Sequence, residues 1–405
     1  MAEKNMNKKV SADIEMDFDA IVIGGGITGV GVFRDLAMQN LKVLVIDENS
    51  FMSQTSSRSS KMLHGGIRYI EQGEFKLVKE ALAEKNLWVK LLPQYCQDAS
   101  FLLPIYKRNK YPLFAYSLGF EFYDFLSGFK NKPYQVLRKE EVLHYAPQLS
   151  THELKGSILY HDAIMDDYAI GIFLLQKTLQ QSSIAQAMDE TTIQSLKINS
   201  DHTELKLFQK VHHKKILVRA KEMIICCGPF TDLFMQKWQI PWTSQLVTSK
   251  GSHLYLKRNS LNLNFPLVIQ SQDDRVIFVI PHQDRILVGT TEIPWNHLDD
   301  PRNVTISESE IDYLLGELKF YFPETSLSRA DIISAFAGIR PLVSDGSKNA
   351  KKTSRTHHHY HPYHHVHAIL GGKYTTFRVM AQEMGSFICE KNKIPYNPSS
   401  FITWP

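Results

Sequence analysis

The feature that most limits the fold is a β-branched run that leads directly into a glycine-rich turn. Residues 18–23 read FDAIVI, the turn reads GGGITG, and a helical-looking stretch then leads to a second apolar run, LKVLVID, at 41–47. Strand, turn, helix and strand in this order predict a right-handed βαβ unit with parallel strands. The first part of the chain is therefore expected to form an α/β domain with a doubly wound, Rossmann-like sheet.

The glycines of this turn have the spacing Gly24-x-Gly26-x-x-Gly29, and Asp47 ends the second predicted strand. The first glycine permits a tight turn, the second lets the backbone approach a pyrophosphate, and the third lets the helix pack against the strand. The N-terminus of the helix adds N–H donors and the positive end of its dipole. Asp47 would accept hydrogen bonds from the adenosine ribose, so the sequence predicts a site for FAD or NAD.

Two further segments favour FAD over NAD. Residues 55–69 read TSSRSSKMLHGGIRY, a loop with small hydroxyl residues, two glycines and four potentially cationic side chains. Such a loop would lie beside the bound dinucleotide, where a flavin ring has to be held permanently. Residues 371–378 (GGKYTTFR) begin another predicted helix, and the N-terminus of that helix can approach the pyrimidine edge of a flavin.

The rest of the chain predicts a second, antiparallel domain. Residues 221–228 (KEMIICCG) and 367–372 (HAILGG) have the composition of further core strands of the first sheet, whereas residues 275–292 predict an antiparallel hairpin. We therefore expect a second domain built from segments that leave the first domain and re-enter it. Residues 111–129 contain eight aromatic side chains between basic flanks, and we expect domain core there rather than a segment in a membrane interface.

Composition narrows the class of protein. The 405 residues are 43% hydrophobic, and the net charge of +4 is too small to indicate nucleic-acid binding. The four cysteines form no CxxC pair, so neither a disulfide framework nor a zinc site is predicted, and a reducing compartment fits. The first residues contain no apolar core of signal-peptide length, and no apolar run reaches membrane-spanning length, so we expect a soluble or peripherally attached protein. Residues 1–16 are expected to be a disordered tail.

Over roughly residues 18–390, the chain resembles the FAD-dependent glycerol-3-phosphate dehydrogenases of the aerobic respiratory type. The resemblance rests on segments in a shared order, of which the most specific are TSSRSSKMLHGGIRYIEQGEFKLVKEAL and GGKYTTFR, together with GGGITGVGVFRDLA, ICCGPFTD, KGSHLYL, DRVIFVIPHQDRILVGTTE and AGIRPLVSD. It implies a flavin domain of the glutathione-reductase and D-amino-acid-oxidase type, α/β in itself and α+β overall. An antiparallel substrate domain is inserted into this flavin domain.

The resemblance also implies a reaction and a location. The implied reaction oxidises sn-glycerol 3-phosphate to dihydroxyacetone phosphate by hydride transfer from C2 to N5 of FAD, with electrons passed to a membrane quinone. The implied location is cytoplasmic, with peripheral contact at the inner face of the cytoplasmic membrane, and a homodimer is left open. The expected FAD-binding domain comprises residues 17–90, 150–240 and 335–395, and the expected substrate domain residues 91–149 and 241–334.

Family motifs place the implied substrate contacts on Arg68, Tyr69, Arg340, Arg355 and Lys373. Arginine suits a phosphate dianion because its planar fork can bind two oxygens at once. The residues expected to hold the cofactor are Gly24, Gly26, Ile27, Thr28, Gly29, Asp47, Thr55, Ser56, Ser60, Lys61, His64, Gly65, Gly66, Gly228, Gly372, Lys373, Thr375 and Thr376.

For catalysis, the candidate base is His253 in KGSHLYL. An unperturbed imidazole titrates at about pH 6.5 and needs little tuning to accept a proton. Arg340 is the second catalytic candidate, because a fixed cation can stabilise a developing alkoxide.

Three features depart from the family. The chain ends at Pro405, so we expect the helical C-terminal domain of the family to be absent, and Ala169 stands in MDDYAI where the family often has arginine. Residues 357–367 (HHHYHPYHHVH) contain seven histidines. Alternate residues of a strand share a face and could bind a metal, but we expect a solvent-facing hairpin with Pro362 near its turn and no metal.

Two other functions stay open on the sequence alone. The protein could oxidise glycerol 3-phosphate, or a related polyol phosphate, with oxygen as the acceptor, because oxygen access depends on small cavities near a flavin. It could also be a non-catalytic FAD-binding subunit. The same cations would hold any small phosphorylated polyol, so the sequence predicts a class of substrate more firmly than one compound.

Overall fold

The computed structural model describes residues 14–282, 284–344 and 356–404. In chain order its strands are β1 (Ile14–Ile23), β2 (Val43–Ile46), β3 (Met62–Leu63), β4 (Cys96–Tyr106), β5 (Gln135–Leu137), β6 (Leu154–Met165), β7 (Gln186–Met188), β8 (Thr191–Ile198), β9 (Thr203–Gln209), β10 (Lys214–Ile225), β11 (Leu246–Lys257), β12 (Leu267–Gln270), β13 (Val276–Pro281), β14 (Arg285–Gly289), β15 (Ile293–Pro294), β16 (Ile332–Val343), β17 (His357–Tyr363) and β18 (Val366–Gly371). Its α-helices are α1 (Ile27–Met38), α2 (Phe75–Leu91), α3 (Leu113–Leu126), α4 (Lys139–Tyr145), α5 (Asp167–Gln181), α6 (Thr231–Lys237), α7 (Glu308–Tyr321) and α8 (Phe377–Lys391).

The first sheet has the strand order β17-β18-β10-β1-β2-β7, with β9 also paired to β10 and β8 paired to β9. Strands β18, β10, β1, β2 and β7 run parallel to their neighbours within this set. Helix α1 connects β1 to β2, and its buried side chains pack with those of α8 and α5 in one apolar core. The predicted βαβ unit is confirmed, and so is the placement of residues 221–225 and 367–371 in the same sheet.

The second sheet has the strand order β15-β11-β14-β13-β12-β4-β6-β3, with β16 paired to β11 and β5 paired to β6. All of these pairs are antiparallel except β12 with β4. The predicted hairpin at 275–292 is confirmed as β13 and β14. Helix α7 covers this sheet through Leu314, Leu318 and Tyr321, which lie in an apolar core with the side chains of β11 to β14.

The structure corrects three of the expected boundaries. β6 pairs with β4 from Leu154 to Met165, and β16 pairs with β11 along its length. Both strands therefore belong to the second sheet, although residues 150–166 and 335–343 were expected in the FAD-binding domain. The expected tail was also too long, because residues 14–16 already pair with 216–218 of β10; residues 1–13 lie outside the described part.

The aromatic segment at 111–129 is only partly core. Phe120 and Tyr123 of α3 are buried and pack against Tyr160 of β6, as expected. The other side of the segment is exposed, with relative exposures of 69% at Phe114, 67% at Leu118, 59% at Phe125 and 65% at Phe129. The expectation of core was therefore wrong for this face. None of the described helices has both the length and the apolar composition needed to cross a membrane.

The histidine-rich segment forms the predicted hairpin, in which β17 pairs antiparallel with β18 and Pro362 lies near the turn. Its exposure is uneven. His358, His361 and His364 are exposed, but His365 and His367 are buried. The ring of His367 contacts the Glu222 carboxylate at 2.9 Å. A fully solvent-facing hairpin was therefore the wrong expectation for the two residues on β18 and its turn.

Candidate active site

Residues from both sheets line one cavity of about 950 Å³. The walls include the carboxyl ends of β1 and β2, the loop at 55–69, and the turn that precedes α8. Ligands of open α/β sheets bind outside the carboxyl ends of the strands. A volume of this size lies at the upper end of the range for small-molecule sites, about 300–1,000 Å³.

The glycine turn approaches the neighbouring backbone too closely for side chains. Gly24 has φ +105°, and a Cβ there would lie 2.5 Å from the Cys226 carbonyl oxygen. A Cβ on Gly29 would lie 1.8 Å from the Gly24 carbonyl oxygen. Gly24 faces the cavity, whereas Gly29 lets α1 pack onto the turn.

The N-terminus of α1 points its donors at the cavity loop. Its cap is Gly26, which provides no side-chain cap, and its first turn contains no acidic residue. The Ile27 N–H donates to Ser56 Oγ at 2.9 Å. Both Ser56 and Thr28 line the cavity. A helix N-terminus at a cavity, with no competing carboxylate in its first turn, is suited to a phosphate group.

Asp47 is held at the edge of this cradle. Its Oδ2 accepts from the Gly25 N–H at 2.7 Å and its Oδ1 from the Asn49 N–H at 2.8 Å. Burial raises the pKa of Asp47, and the two backbone hydrogen bonds oppose that rise. Each carboxylate oxygen keeps a further lone pair for a ribose hydroxyl. The cradle therefore fits a dinucleotide with an unmodified ribose, such as FAD.

Most of the predicted cofactor residues line this cavity: Gly24, Gly26, Ile27, Thr28, Asp47, Thr55, Ser56, Ser60, His64, Gly66, Gly228, Gly372, Lys373 and Thr375. Four do not: Gly29, Lys61, Gly65 and Thr376. Thr376 is buried, and its hydroxyl donates to the Lys373 carbonyl at 3.4 Å. The Gly65 N–H donates to the Tyr123 hydroxyl at 2.9 Å. These residues support the cavity wall from behind.

Lys61 is held away from the cavity by an ion pair. Its Nζ lies 2.5 Å from Asp167 Oδ1 and 2.7 Å from the Ser57 carbonyl. Asp167 is fully buried at the start of α5 and also accepts from Ser59 Oγ at 2.6 Å. Lys61 therefore fixes the serine-rich loop, and a direct contact with a cofactor, as expected from the sequence, is not supported by its position.

His253 lies on β11 with its ring stacked on Phe336, at a centroid distance of 4.9 Å. Its Nε2 is 2.9 Å from Ser60 Oγ, and its buried Nδ1 has no hydrogen-bond partner among the described residues. Burial lowers the pKa of His253 from 6.5 to about 3, with further lowering from Arg340 and Lys61. Burial therefore favours the neutral form of this imidazole, an effect that the sequence alone did not predict.

Arg340 reaches the same part of the cavity from β16. Its Nη2 donates to Thr290 Oγ1 at 2.7 Å and to the Thr291 carbonyl at 3.4 Å. Close packing also holds the guanidinium, because a Cβ on Gly251 would lie 2.3 Å from Nη2. Arg340 and His253 both line the cavity, and the structure thus brings together the two predicted catalytic side chains.

Three further predicted substrate residues line the same cavity. Arg68, Tyr69 and Lys373 line the cavity. Lys373 Nζ lies 4.0 Å from the centre of the Tyr69 ring, and it donates to the Gly65 carbonyl at 3.3 Å. This places a cation on an aromatic face next to the glycine pair of the loop. Arg355 lies outside the described residues, so its role stays a prediction.

Two charged side chains that line the cavity were not among the predicted site residues. Asp162 on β6 is buried, accepts from the Tyr123 hydroxyl at 3.0 Å, and has its pKa raised to about 6 by burial. Arg58 lines the cavity and donates to the Ala337 carbonyl at 3.2 Å. An aspartate inside an apolar strand was the available signal for Asp162, because such a carboxylate needs a specific partner.

Comparison with known proteins gives consistent results. The family described as FAD dependent oxidoreductase (DAO) matches residues 19–383. The chain is 32% identical over 397 residues to the mitochondrial glycerol-3-phosphate dehydrogenase of Schizosaccharomyces pombe, covering 90% of this chain and 60% of that protein. It is 30% identical over 379 residues to the aerobic glycerol-3-phosphate dehydrogenase of Bacillus subtilis, covering 93% of this chain and 67% of that protein.

A solved structure, glycerol-3-phosphate dehydrogenase from Bacillus halodurans complexed with FAD, has the same fold. The TM-score is 0.76 at 23% identity, with 95% of this chain and 67% of that chain covered. The chain thus spans only 60% to 67% of the length of these relatives. Since the family match extends over most of the chain and the cradle accepts the dinucleotide, this protein belongs to the FAD dependent oxidoreductase family, whose cofactor is FAD.

Proposed function

We propose that the protein oxidises sn-glycerol 3-phosphate to dihydroxyacetone phosphate. The observation that carries this proposal is the cavity itself, which places cationic side chains and a neutral imidazole beside the dinucleotide cradle. The names of the relatives that are about one-third identical to the chain agree with this substrate. Bound FAD would supply the two-electron acceptor for the hydride that leaves C2.

The phosphate dianion is assigned to the cations of the cavity. Arg68, Lys373 and Arg340 all line the cavity, and a guanidinium can bind two phosphate oxygens at once. Tyr69 supplies a hydroxyl beside Lys373. Because Arg340 is already oriented by Thr290 and Thr291, little side-chain freedom is lost when it binds an anion.

His253 is assigned as the acceptor of the C2 hydroxyl proton. It is neutral in the free site, because burial and neighbouring cations hold its pKa at about 3. A phosphate dianion bound by Arg340 would offset the charge of that guanidinium, and an opposite charge nearby raises the pKa of an imidazole. Substrate binding would therefore strengthen the base. The Arg340 guanidinium then stabilises the negative charge that develops on the C2 oxygen.

A membrane quinone is the proposed electron acceptor. Tyr111, Ala115, Tyr116 and Gly119 line the cavity, and they belong to α3 or to the segment just before it. The opposite side of α3 carries the exposed apolar residues described above. One helix thus separates the cavity from an apolar surface, which favours an acceptor that dissolves in lipid over one that dissolves in water.

The same surface supports peripheral attachment to the inner face of the cytoplasmic membrane. Phe114, Leu118 and Phe125 share one exposed face of α3. The chain segments on both sides of α3 contribute Lys107, Lys110, Lys130 and Lys132. Three of these lysines form ion pairs, with Glu153, Glu71 and Asp98. An exposed apolar helix face with lysines in the flanking segments fits the boundary between acyl chains and anionic headgroups.

Membrane contact is tested by sedimentation with vesicles. We expect binding to phosphatidylglycerol-containing vesicles, a large loss of binding in Phe114→Asp and Phe125→Asp, and no loss in Leu298→Asp. Leu298 is 49% exposed and lies outside α3, so it is the matched control. Equal sedimentation of all variants would contradict the assignment of this face.

The reaction is tested anaerobically, by mixing the FAD-loaded protein with sn-glycerol 3-phosphate and following the oxidised-flavin absorbance. We expect the band to bleach in the wild type and to persist in Arg340→Ala, which should still retain FAD. Arg340→Lys keeps the positive charge but lacks the planar set of N–H donors of a guanidinium, so its flavin should bleach more slowly than that of the wild type. Wild-type protein that keeps its absorbance would contradict the reaction, and normal bleaching in Arg340→Ala would contradict the site.

A second assay on the bleached protein identifies the acceptor. Rapid reoxidation by a soluble quinone, with slow reoxidation by air, would support the quinone. Rapid reoxidation by oxygen would instead make the protein an oxidase. If the protein binds FAD but none of the polyol phosphates tested bleaches the flavin, the protein would be a non-catalytic FAD-binding subunit.

A further inference from the structure

The histidine-rich hairpin brings two imidazoles and a carboxylate together outside the active-site cavity. His357 and His359 are alternate residues of β17, so they project from the same face of the strand. Their ring centroids are 5.5 Å apart. Glu383 of α8 faces them, and its Oε2 lies 2.7 Å from His357 Nε2. One ligand atom from each of the three residues lies within 4.8 Å of the other two.

The hydrogen bonding of the cluster leaves one nitrogen available to a cation. His359 Nε2 is buried and has no hydrogen-bond partner in the part of the chain that the structure describes. A buried polar atom without a partner is costly, and a metal ion bound there would satisfy it.

The distances are close to those of a metal centre. Zinc binds imidazole nitrogen and carboxylate oxygen at about 2.0–2.2 Å in tetrahedral geometry, which puts ligand atoms about 3.4 Å apart. His357 Nε2 and Glu383 Oε2 are closer than this, at 2.7 Å. All three ligand atoms lie within 4.8 Å of one another, so no separation exceeds the value for a zinc site by more than about 1.4 Å. Rotation of one imidazole and of the Glu383 side chain, which is about half exposed, covers such differences.

We propose that His357, His359 and Glu383 bind one divalent transition-metal ion of the zinc type, with water completing the coordination. This set of two imidazoles and one carboxylate matches the ligand preferences of zinc, nickel and cobalt. The other five histidines of the tract are not part of this cluster. His367 contacts Glu222 and His361, and His358 and His364 are exposed.

The position of the site predicts what the metal does. β17 is the edge strand of the first sheet, and α8 packs beside it. His357 pairs with Gly371, and its Cβ lies near Gly372, where an added Cβ would come within 3.3 Å of it. Gly372 and Lys373 line the FAD cavity. A metal would therefore clamp the edge strand to α8 directly behind the cofactor turn, as a structural site and not a reacting one.

The test titrates chelator-treated, full-length protein with zinc sulfate by calorimetry. We expect one equivalent to bind with micromolar affinity and to raise the melting temperature. His359→Ala and Glu383→Gln should weaken binding by about tenfold or more, because even the loss of a residue that only hydrogen-bonds to a metal ligand costs about 10–100-fold. His358→Ala and His364→Ala remove histidines from the same tract but outside the cluster, and should bind zinc as the wild type does.

These controls distinguish a specific metal site from the general affinity of a histidine-rich segment for metal ions. Equal weakening in His358→Ala and His359→Ala, or no weakening in Glu383→Gln, would overturn the proposal. Circular dichroism of each metal-free variant shows whether it is folded. If His359→Ala is unfolded, the Glu383→Gln variant decides alone, since Glu383 is at the surface. Cobalt substitution gives a second readout, because a visible spectrum of a four- or five-coordinate ion is expected in the wild type and not in Glu383→Gln.

Discussion

The position of Arg340 can be tested without changing Arg340. Gly251 of β11 lies against its guanidinium, and a Cβ there would be 2.3 Å from Nη2, 2.6 Å from Cζ and 2.6 Å from Thr290 Oγ1. Gly251 has no positive φ, so alanine is compatible with its backbone. In Gly251→Ala the guanidinium must move by about 1 Å to restore an ordinary contact of 3.4 Å.

The expected effect follows from that displacement. The 2.7 Å hydrogen bond to Thr290 would break, and a hydrogen bond from a charged group is worth about 1.5–3 kcal/mol. A displacement of about 1 Å at a catalytic group can cost about 100-fold in rate. We therefore expect kcat/KM for sn-glycerol 3-phosphate to fall by about 100-fold in a dye-linked assay, with FAD still bound.

The control is Gly316→Ala on α7, where an added Cβ meets nothing within 4 Å. That variant should keep full activity and melt at the same temperature or higher, because alanine favours a helix over glycine. If Gly251→Ala is folded, retains FAD and keeps kcat/KM within about threefold of the wild type, the guanidinium does not act from the position described here.

Two other predictions follow from the buried site. Because burial lowers the pKa of His253 from 6.5 to about 3, the unfolded chain binds more protons in that window, and stability falls as the pH drops from 6.5. Urea unfolding of His253→Gln should show a shallower fall between those pH values, and an identical slope would contradict the lowered pKa. Gly29→Ala, which puts a Cβ 1.8 Å from the Gly24 carbonyl oxygen, should purify with little FAD, and a normal flavin-to-protein absorbance ratio would show that the turn can adjust.

The parts of the fold that could be predicted have local signals. The βαβ unit and Asp47 lie within about thirty residues of one another, and the 275–292 hairpin is formed by adjacent strands. β6 could not be placed in the second sheet, because its pairing joins Asp162 to Ala99, and nothing in either segment identifies its partner. The exposed face of α3 was missed because aromatic content does not show which side of a helix the rest of the chain covers.

The candidate site shows the same division. The residue types of the loop at 55–69 predict its place beside a cofactor, and the structure brings Thr55, Ser56 and Ser60 to the cavity. The behaviour of His253 could not be predicted, because its pKa depends on burial under Phe336 and on the charge of Arg340, which come from a strand about eighty residues away. The sequence supplies the identity of a titratable group, whereas its environment comes from tertiary packing.

The pairing partners of β10 determine how late in its synthesis the protein can bind FAD. It pairs with β1 along most of its length, its first half also pairs with β9, and its last residues, Met223 to Ile225, pair with β18. The strand that carries the glycine turn therefore has one neighbour close in sequence, β2, and the other about two hundred residues later, while β10 gains its second parallel neighbour only from residues 366–368. Such distant pairings form slowly. On a ribosome that adds residues from the N-terminus, the cavity cannot be complete until β18 and the turn after it have been made, so the flavin can be captured only after that point.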